Sequence, residues 1–178
     1  HVPYDVLVHE RTMTAQGTAR VCEIEAGRLA KAVMMRDRQG YVMAILPASC
    51  RVDKAQLWRL LHRPVELAEE DELQILFRDC DLGAIPALGP AYGIETVVDE
   101  RLDRATEVWL EGGDHESLVH LSGERFRELT AGARRGSFDI VVSSPGLLLR
   151  GPCRFGWYPA SGNRAQRNIR QSGASVPA

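Results

Sequence analysis

Alternating apolar and polar residues predict a β-hairpin in the first third of the chain. The runs LAKAVMMR (29–36) and YVMAIL (41–46) flank DRQG, a polar turn that ends in glycine. Two such runs joined by a short glycine-containing turn are typical of paired antiparallel strands. Three later apolar runs predict further strands: IETVV (94–98), EVWLE (107–111) and SLVHLS (117–122).

Helical spacing and capping residues predict four helices. Asp53 is followed three residues later by Gln56, the pattern of a capping box, and Gly132 is expected to end the last helix. Because the strands and helices interleave without regular alternation, we predict one mixed-sheet α/β domain that ends near Gly132. The predicted helices are 14–22, 53–61, 69–77 and 123–132.

Charge is distributed unevenly along the 178 residues. The formal net charge is −2, but residues 133–178 hold seven arginines and a single acid, Asp139, which gives +6. Residues 1–132 hold 15 basic and 23 acidic residues, which gives −8. We therefore predict an acidic folded body over 1–132. The tail, 133–178, is basic and rich in Gly, Pro, Ser and Arg, and we expect it to be largely disordered apart from a short strand at FDIVV.

Several classes of protein and site find no support in the sequence. No apolar run approaches the ~20 residues that span a bilayer, and no signal-peptide pattern occurs, so we expect a cytoplasmic protein without a membrane partner. The cysteines at 22, 50, 80 and 153 form no C-x-x-C pair, which disfavours a zinc knuckle. HESLVH is one residue too long for H-E-x-x-H, and no G-x-S-x-G, Walker or G-x-G-x-x-G pattern occurs. We therefore expect neither a metal nor a cofactor.

Three features remain that could carry chemistry. The first is DLGAIPALGPAYG (81–93), a long, stiff and nearly uncharged loop, and loops of this length are usually functional or disordered. The second is Lys31, which strand alternation places on the apolar face of Leu29, Val33 and Met35. A lysine there reaches a cavity or a partner, or else protects an edge strand. The third is GGDH (112–115), which either presents His115 at a strand edge or is an ordinary polar turn.

Five segments together resemble the YbaK / prolyl-tRNA synthetase-associated editing-domain family. They occur in the family's order and rough spacing, and the resemblance covers about Tyr4 to Gly132. It implies a single domain with a mixed, largely antiparallel, curved β-sheet flanked by helices. The segments are VHERTMTAQGTARV, LAKAVMMRDRQGYVMAILPASCRVD, DCDLGAIPALGP, VVDERL and EGGDHESLVHLSG.

The resemblance also implies an activity, which is hydrolysis of the aminoacyl ester of mischarged tRNA. With no synthetase segments in the chain, a free-standing deacylase that acts in trans is expected, without metal. A synthetase pocket built for a larger amino acid rejects a smaller one by only ~1–3 kcal/mol per methylene, so a second hydrolytic site restores fidelity. The implied partners are the 3′ end of mischarged tRNA and an aminoacyl-tRNA synthetase.

Residue roles follow from the resemblance by position. Lys31 matches the family's strand lysine, placed to meet a phosphate or ribose of the tRNA 3′ end. His115 matches a histidine variant of the late turn, which shapes the pocket or holds a water. The glycine–proline loop contributes Gly83 as a catalytic position, and its N–H groups are expected to bind the ester carbonyl oxygen as negative charge develops. Its substrate-binding positions are Ala84, Ile85, Pro86 and Gly89.

One position departs from the family pattern, and other functions stay open. Many relatives carry a second proline directly after Pro86, where this chain has Ala87, so the loop is expected to be less rigid or its pocket roomier. The main alternative function is a catalytically inactive module of the same fold that binds tRNA or a synthetase, since clustered arginines neutralise phosphates. A third is hydrolysis of another small acyl ester.

Overall fold

The elements of the fold follow the predicted order closely. The structure is a computed structural model and describes residues 3–142 and 157–158. All six predicted strands and all four predicted helices are present. The strands are β1 Asp5–Val8, β2 Leu29–Asp37, β3 Gly40–Pro47, β4 Cys50–Val52, β5 Glu66–Leu67, β6 Glu95–Asp99, β7 Glu107–Glu111, β8 Ser117–Ser122, β9 Arg134–Gly136, β10 Asp139–Val141 and β11 Trp157–Tyr158. The helices are α1 Ala15–Val21, α2 Lys54–Leu61, α3 Glu70–Leu76, α4 Glu100–Asp103 and α5 Gly123–Leu129, with a 3-10 helix at Gly89–Tyr92.

Polar caps fix where the helices begin. The Thr14 side chain accepts from Gly17 N at the start of α1, and Asp53 accepts from two N–H groups of α2. Asp53 is therefore a helix cap, as its spacing predicts. The last helix ends earlier than predicted, at Leu129, where the Thr130 hydroxyl donates to the Phe126 carbonyl at 2.7 Å. No helix within the described ranges is long and apolar enough to cross a bilayer.

The main sheet is mixed and mostly antiparallel, which confirms the predicted fold class. Its strands run in the order β11-β1-β8-β7-β2-β3-β6-β9, and β5 also pairs with β2. Pairing is antiparallel except at β2–β7, β3–β6 and β6–β9. The hairpin β2–β3 lies at the centre, and its register pairs Lys31 with Leu46.

The two faces of the central hairpin build two separate cores. Ala30 and Met34 point into a cluster that also holds Ile85 and Ala87 of the glycine–proline loop. Alternate residues point the other way, so Met35 lies in a second cluster with Leu57 of α2 and with Cys50. The loop and α2 therefore cover opposite faces of the same two strands.

The ordered chain continues past the domain end predicted at Gly132. Strand β9 pairs in parallel with β6, and β10 pairs with β4 in a small second sheet. Phe138, between these strands, is fully buried in the α2 core. Burial of the Phe138 side chain fixes residues 134–141 against α2, although the glycine, serine and arginine content of this segment suggests a tail. The predicted strand at FDIVV corresponds to β10, and the rest of the predicted tail, 143–156 and 159–178, lies outside the described residues.

Candidate functional site

A gap interrupts the central sheet along one edge of β2. On that edge β7 pairs with Leu29 and Ala30, and β5 pairs with Met35 and Arg36. Between these pairings, no strand of the described chain pairs with this edge of β2 at residues 31–33, whereas β3 pairs with the opposite edge over residues 30–37. A sheet edge without a partner leaves backbone donors and acceptors available to a ligand. The gap, meaning this unpaired edge of β2 at residues 31–33, therefore lies at the position of Lys31.

Lys31 is only partly buried and lies on the α2 face of β2. Its Nζ donates to the Cys50 carbonyl oxygen at 2.5 Å. Burial lowers the pKa of the ammonium, and the nearby Arg51 lowers it further, while Cys50 opposes them. A compact ammonium on a flexible stem, held by one neutral carbonyl, keeps donors for an anionic or ester ligand. Strand β2 lies inside the sheet, so Lys31 stands at a locally unpaired stretch and not on a terminal strand.

The glycine–proline loop presents backbone donors that find no acceptor inside the protein. Ala84 N donates to the Asp81 carbonyl at 3.0 Å and Leu88 N to the Pro86 carbonyl at 2.8 Å. Among residues 3–142 no acceptor takes up the N–H groups of Gly83, Ile85 or Ala87. Gly83 is exposed, so water can bind its N–H group, whereas Ile85 and Ala87 are buried. Because buried backbone N–H groups almost always have a partner, the N–H groups of Ile85 and Ala87 are the candidates for binding a ligand.

Glycine is required at two positions of this loop. Gly83 has φ +89°, a conformation that side-chain-bearing residues rarely adopt. Gly89 approaches the sheet so closely that a Cβ there would lie 2.1 Å from Thr96 Oγ1 and 3.2 Å from Met43 Cβ. The first glycine turns the chain, and the second seats it against β3 and β6. Pro86 and Ala87 lie between them, and Ala87 is fully buried.

His115 holds the loop from the turn after β7. It is 2% exposed and has a left-handed φ of 62°. Its Nε2 lies 2.8 Å from the Leu82 carbonyl oxygen, and a carbonyl only accepts, so Nε2 carries the hydrogen. A Cβ on Gly83 would lie 3.5 Å from His115 Cε1. The structure thus brings His115 and Gly83 together, and the histidine supports the loop.

Backbone hydrogen bonds fasten the lead-in to α1, the loop and the late turn to one another. Asp81 N donates to the Gly113 carbonyl at 2.7 Å, and Thr12 N donates to the His115 carbonyl at 3.2 Å. Arg11 adds a 2.7 Å ion pair to Asp81 on the surface. The loop therefore starts from a fixed point, which keeps its free N–H groups in one orientation.

Lys31 and the loop approach the gap from opposite faces. Loop residues share a core with Ala30, whereas Lys31 contacts Cys50 on the α2 side. Direct contact between the lysine and the loop is absent within the described residues. A ligand seated in the gap could meet both, because residues 31–33 leave it unobstructed by a neighbouring strand. That Lys31 and the loop act on one ligand stays a prediction.

Glu111 is a candidate that the sequence analysis missed. It ends β7 next to the gap, is 5% exposed, and accepts from Thr18 Oγ1 at 3.1 Å through Oε1. Its other oxygen is buried with no hydrogen-bond partner among the described residues. Burial raises the pKa of this carboxyl group. The available signal was a lone acid at the end of the apolar run VWL.

The described residues contain no group of three or more His, Cys, Asp or Glu side chains placed to hold a metal ion. The polar groups of β2, the glycine–proline loop, the end of β7 and the turn after it are instead one ammonium, one imidazole, one carboxyl group and several backbone N–H groups. Such a set can bind a phosphate or a polarised carbonyl, and it can orient a water. It offers hydrolytic chemistry by positioning.

A family model describes most of the folded chain. The aminoacyl-tRNA editing domain model matches residues 9–129. That span includes Lys31, the glycine–proline loop and His115, and it ends before β9 and β10. No curated protein sequence matches the chain at a comparable level.

Solved structures share the fold at moderate sequence identity. A candidate signal transduction protein from Marinobacter aquaeolei VT8 is 28% identical with a TM-score of 0.64, over 78% of this chain and 28% of that one. The hypothetical protein APE2540 is 25% identical with a TM-score of 0.67, over 77% and 91% of the two chains. A candidate trans-editing enzyme for prolyl-tRNA synthetase is 24% identical with a TM-score of 0.64, over 75% and 87%.

Proposed function

The chain belongs to the aminoacyl-tRNA editing domain family, and from this membership we propose that it hydrolyses the aminoacyl ester of mischarged tRNA in trans. The observation that carries the proposal is the gap beside β2. Lys31 reaches it from one face, and unpartnered N–H groups of the glycine–proline loop lie on the other. At the 3′ end of an aminoacylated tRNA, a phosphate could bind Lys31, and the ester carbonyl oxygen could bind the N–H groups of the loop.

The proposed reaction transfers the acyl group to water. A water oxygen attacks the ester carbonyl carbon, and the loop N–H groups stabilise the oxyanion that forms. The carbon–oxygen bond to the ribose then breaks, and the water's proton passes to the departing ribose oxygen, assisted by the tRNA's adjacent terminal hydroxyl. The products are the free amino acid and uncharged tRNA. Lys31 binds a phosphate or ribose and thereby positions the substrate. Most of the rate enhancement therefore comes from proximity and orientation.

The proposed pocket favours small amino acids because its wall is main chain and short side chains. Gly83 and Ala84 line the start of the loop, and Ala87 takes the place at which many relatives have proline. Shape alone discriminates weakly, since one methylene changes binding by ~1–3 kcal/mol. We therefore expect several small amino acids to be cleared rather than one.

A panel of tRNAs charged with small and large non-cognate amino acids tests the proposal. We expect the wild-type protein to release the small amino acids at least tenfold faster than spontaneous hydrolysis, and to leave bulky aromatic esters near the spontaneous rate. The measurement is acid-precipitable labelled amino acid against time. Release of no member of the panel above the spontaneous rate would exclude the deacylase function.

His115→Asn tests the proposed support of the loop. Asparagine tolerates a left-handed φ of the kind seen at this position, but its shorter side chain cannot reach the Leu82 carbonyl. We expect kcat/KM to fall about tenfold, since one buried hydrogen bond is worth about 1.5 kcal/mol. His120→Asn, at a histidine on β8 outside the loop contacts, should stay near wild type. Equal losses in the two variants would contradict a specific role for His115.

The charge asymmetry supports a second candidate function, which is tRNA binding without turnover. Residues 159–178 carry Arg164, Arg167 and Arg170 and no acid. Removing 159–178 leaves every described strand in place. If these arginines contact phosphates, affinity for uncharged tRNA falls and the slope of log K against log salt loses about two to three units. An unchanged slope would show that the segment does not bind tRNA.

A further inference from the structure

Two buried carboxyl groups meet where the C-terminal strand β10 docks on the core. Asp99, at the end of β6, is fully buried, and Asp139, at the start of β10, is 8% exposed. Asp99 accepts from Arg101 N at 2.9 Å and from Phe138 N at 3.4 Å. Neither oxygen of Asp139 has a hydrogen-bond donor from the described residues, although Arg101 Nε lies 3.1 Å from Oδ2.

A proton shared between the two carboxyl groups supplies the missing donor. Two ionised carboxylates in contact repel each other strongly, so one of them retains its proton. Burial and the charge of Asp139 raise the pKa of Asp99, whereas the N–H groups of Arg101 and Phe138 lower it, so the retained proton belongs to the pair. With one proton, one carboxyl group of the pair can donate to the other, and the remaining charge faces Arg101. The pair fastens β10 to the end of β6.

Strand β10 in turn fixes the carbonyl group that holds Lys31. Its register pairs Asp139 with Val52 and Val141 with Cys50. The Cys50 thiol lies against Asp139, and burial together with that carboxyl group raises the pKa of the thiol to about 11. The Cys50 carbonyl oxygen receives Lys31 Nζ. A continuous path of contacts thus runs from Asp139 to the lysine.

We propose that the Asp99–Asp139 pair positions Lys31, acting through β4 and the Cys50 carbonyl. The proposal rests on the proposed function, and it assigns a role in the site to a strand that follows the residues matched by the family model. Asp99 and Asp139 are positioning residues, since Lys31 alone of the three reaches the gap. Loss of the shared proton would loosen β10 and release the Cys50 carbonyl.

The direction of the pH dependence follows from the raised pKa of Asp99. The native state holds this proton more tightly than the unfolded chain, so the pair stabilises the fold at low pH. That stabilisation is lost as pH rises through the raised pKa. The charged groups that face the pair and its path are Arg101 on α4, Cys50 and Arg51 on β4, and Lys31 on β2.

Lysine NMR tests the link without requiring enzymatic activity. The chain has only two lysines, Lys31 and Lys54, so ¹³C-dimethylation gives two lysine signals that Lys54→Arg assigns. We expect the Lys31 signal of the wild type to show two inflections with pH, its own titration and that of the carboxyl pair. Asp99→Asn, which mimics the protonated acid and still caps α4, should remove the lower inflection.

Controls separate positioning from general effects on the fold. Asp103→Asn removes a carboxylate that binds Arg135 beside β9 but does not contact β4, and it should keep both Lys31 inflections. Asp139→Asn is the second variant if Asp99→Asn does not fold, and it should also remove the lower inflection. A single inflection in the wild type, or two in both pair variants, would overturn the proposal. The deacylation rate of Asp99→Asn should also hold its plateau to higher pH than that of the wild type.

The two readouts distinguish the two proposals. If the wild type clears no mischarged tRNA but Lys31 shows the paired inflections, the proposed function fails and the coupling of the pair to Lys31 stands. If the wild type is active but the Lys31 signal shows no inflection from the carboxyl pair, the proposed coupling is rejected and the proposed function is retained.

Discussion

Lys31→Met is expected to lower kcat/KM for deacylation by about 100-fold or more, while the fold keeps its stability. The loss reflects a missing charged contact to the substrate, which is worth roughly 3 kcal/mol when it is well positioned. Methionine fills the same space beside the α2 core without a charge. Because burial lowers the pKa of Lys31, the ammonium costs the native state free energy, so the thermal midpoint should equal or exceed that of the wild type.

The pH dependence of stability gives an independent check on this variant. The native state binds the Lys31 proton less tightly than the unfolded chain, so wild-type stability rises with pH between the lowered pKa and the ordinary one. Lys31→Met should lose that rise. Lys54→Met, at the exposed start of α2, is the matched control and should change neither quantity. Full activity of Lys31→Met would exclude the lysine from the site.

Gly89→Ala is expected to destabilise the protein by about 3 kcal/mol and to lower activity through the displaced loop. Its added methyl group would overlap Thr96 Oγ1 at 2.1 Å and press on Met43 at 3.2 Å. The backbone there cannot retreat easily, because Ile94 N donates to the Gly89 carbonyl at 3.0 Å. Chemical denaturation measures the loss as a lower midpoint at an unchanged slope.

A second substitution identifies the cause of this loss. Thr96→Ala removes the atom that the new methyl group would strike, at the cost of the 2.8 Å bond from Thr96 to the Ile94 carbonyl. The double variant should therefore be more stable than Gly89→Ala alone, with a coupling energy of about 1–3 kcal/mol. Gly93→Ala is not a suitable control for Gly89→Ala. A methyl group at Gly93 would meet no neighbouring atom, and its cost would come only from the backbone φ of +66°. Strictly additive effects would contradict the proposed overlap.

Local sequence signals were sufficient for six strands and four helices, but they missed the short strands β1, β4, β5, β9 and β11 and the short helix α4. The DRQG turn, the Asp53 cap and the alternation in 29–36 each act within a few residues, and each appears in the structure as predicted. The side of β2 to which Lys31 points also follows from alternation alone. These features depend on the chain's immediate neighbours, which a single sequence contains.

The missed features depend on contacts between distant segments. The gap beside residues 31–33 exists because β7 and β5 approach the same edge of β2 from different parts of the chain. The role of Asp139 depends on Asp99, 40 residues earlier, and Phe138 is buried although its neighbours suggest a tail. The support of the loop by His115 likewise joins residues 33 positions apart. Residue type and spacing do not reveal such pairings.

Hydrogen-bond donors of the main chain depend little on the identity of the side chain, which affects how the loop sequence can change during evolution. Replacing Ile85 by any residue other than proline leaves its N–H group in place, so this side chain can change while the donor persists. Position 87 differs, because a proline there would remove the donor itself. Relatives could then acquire new amino-acid preferences through single substitutions in the loop without first losing turnover. Under the proposed function, the identities of the loop side chains would therefore carry little record of the catalytic donors.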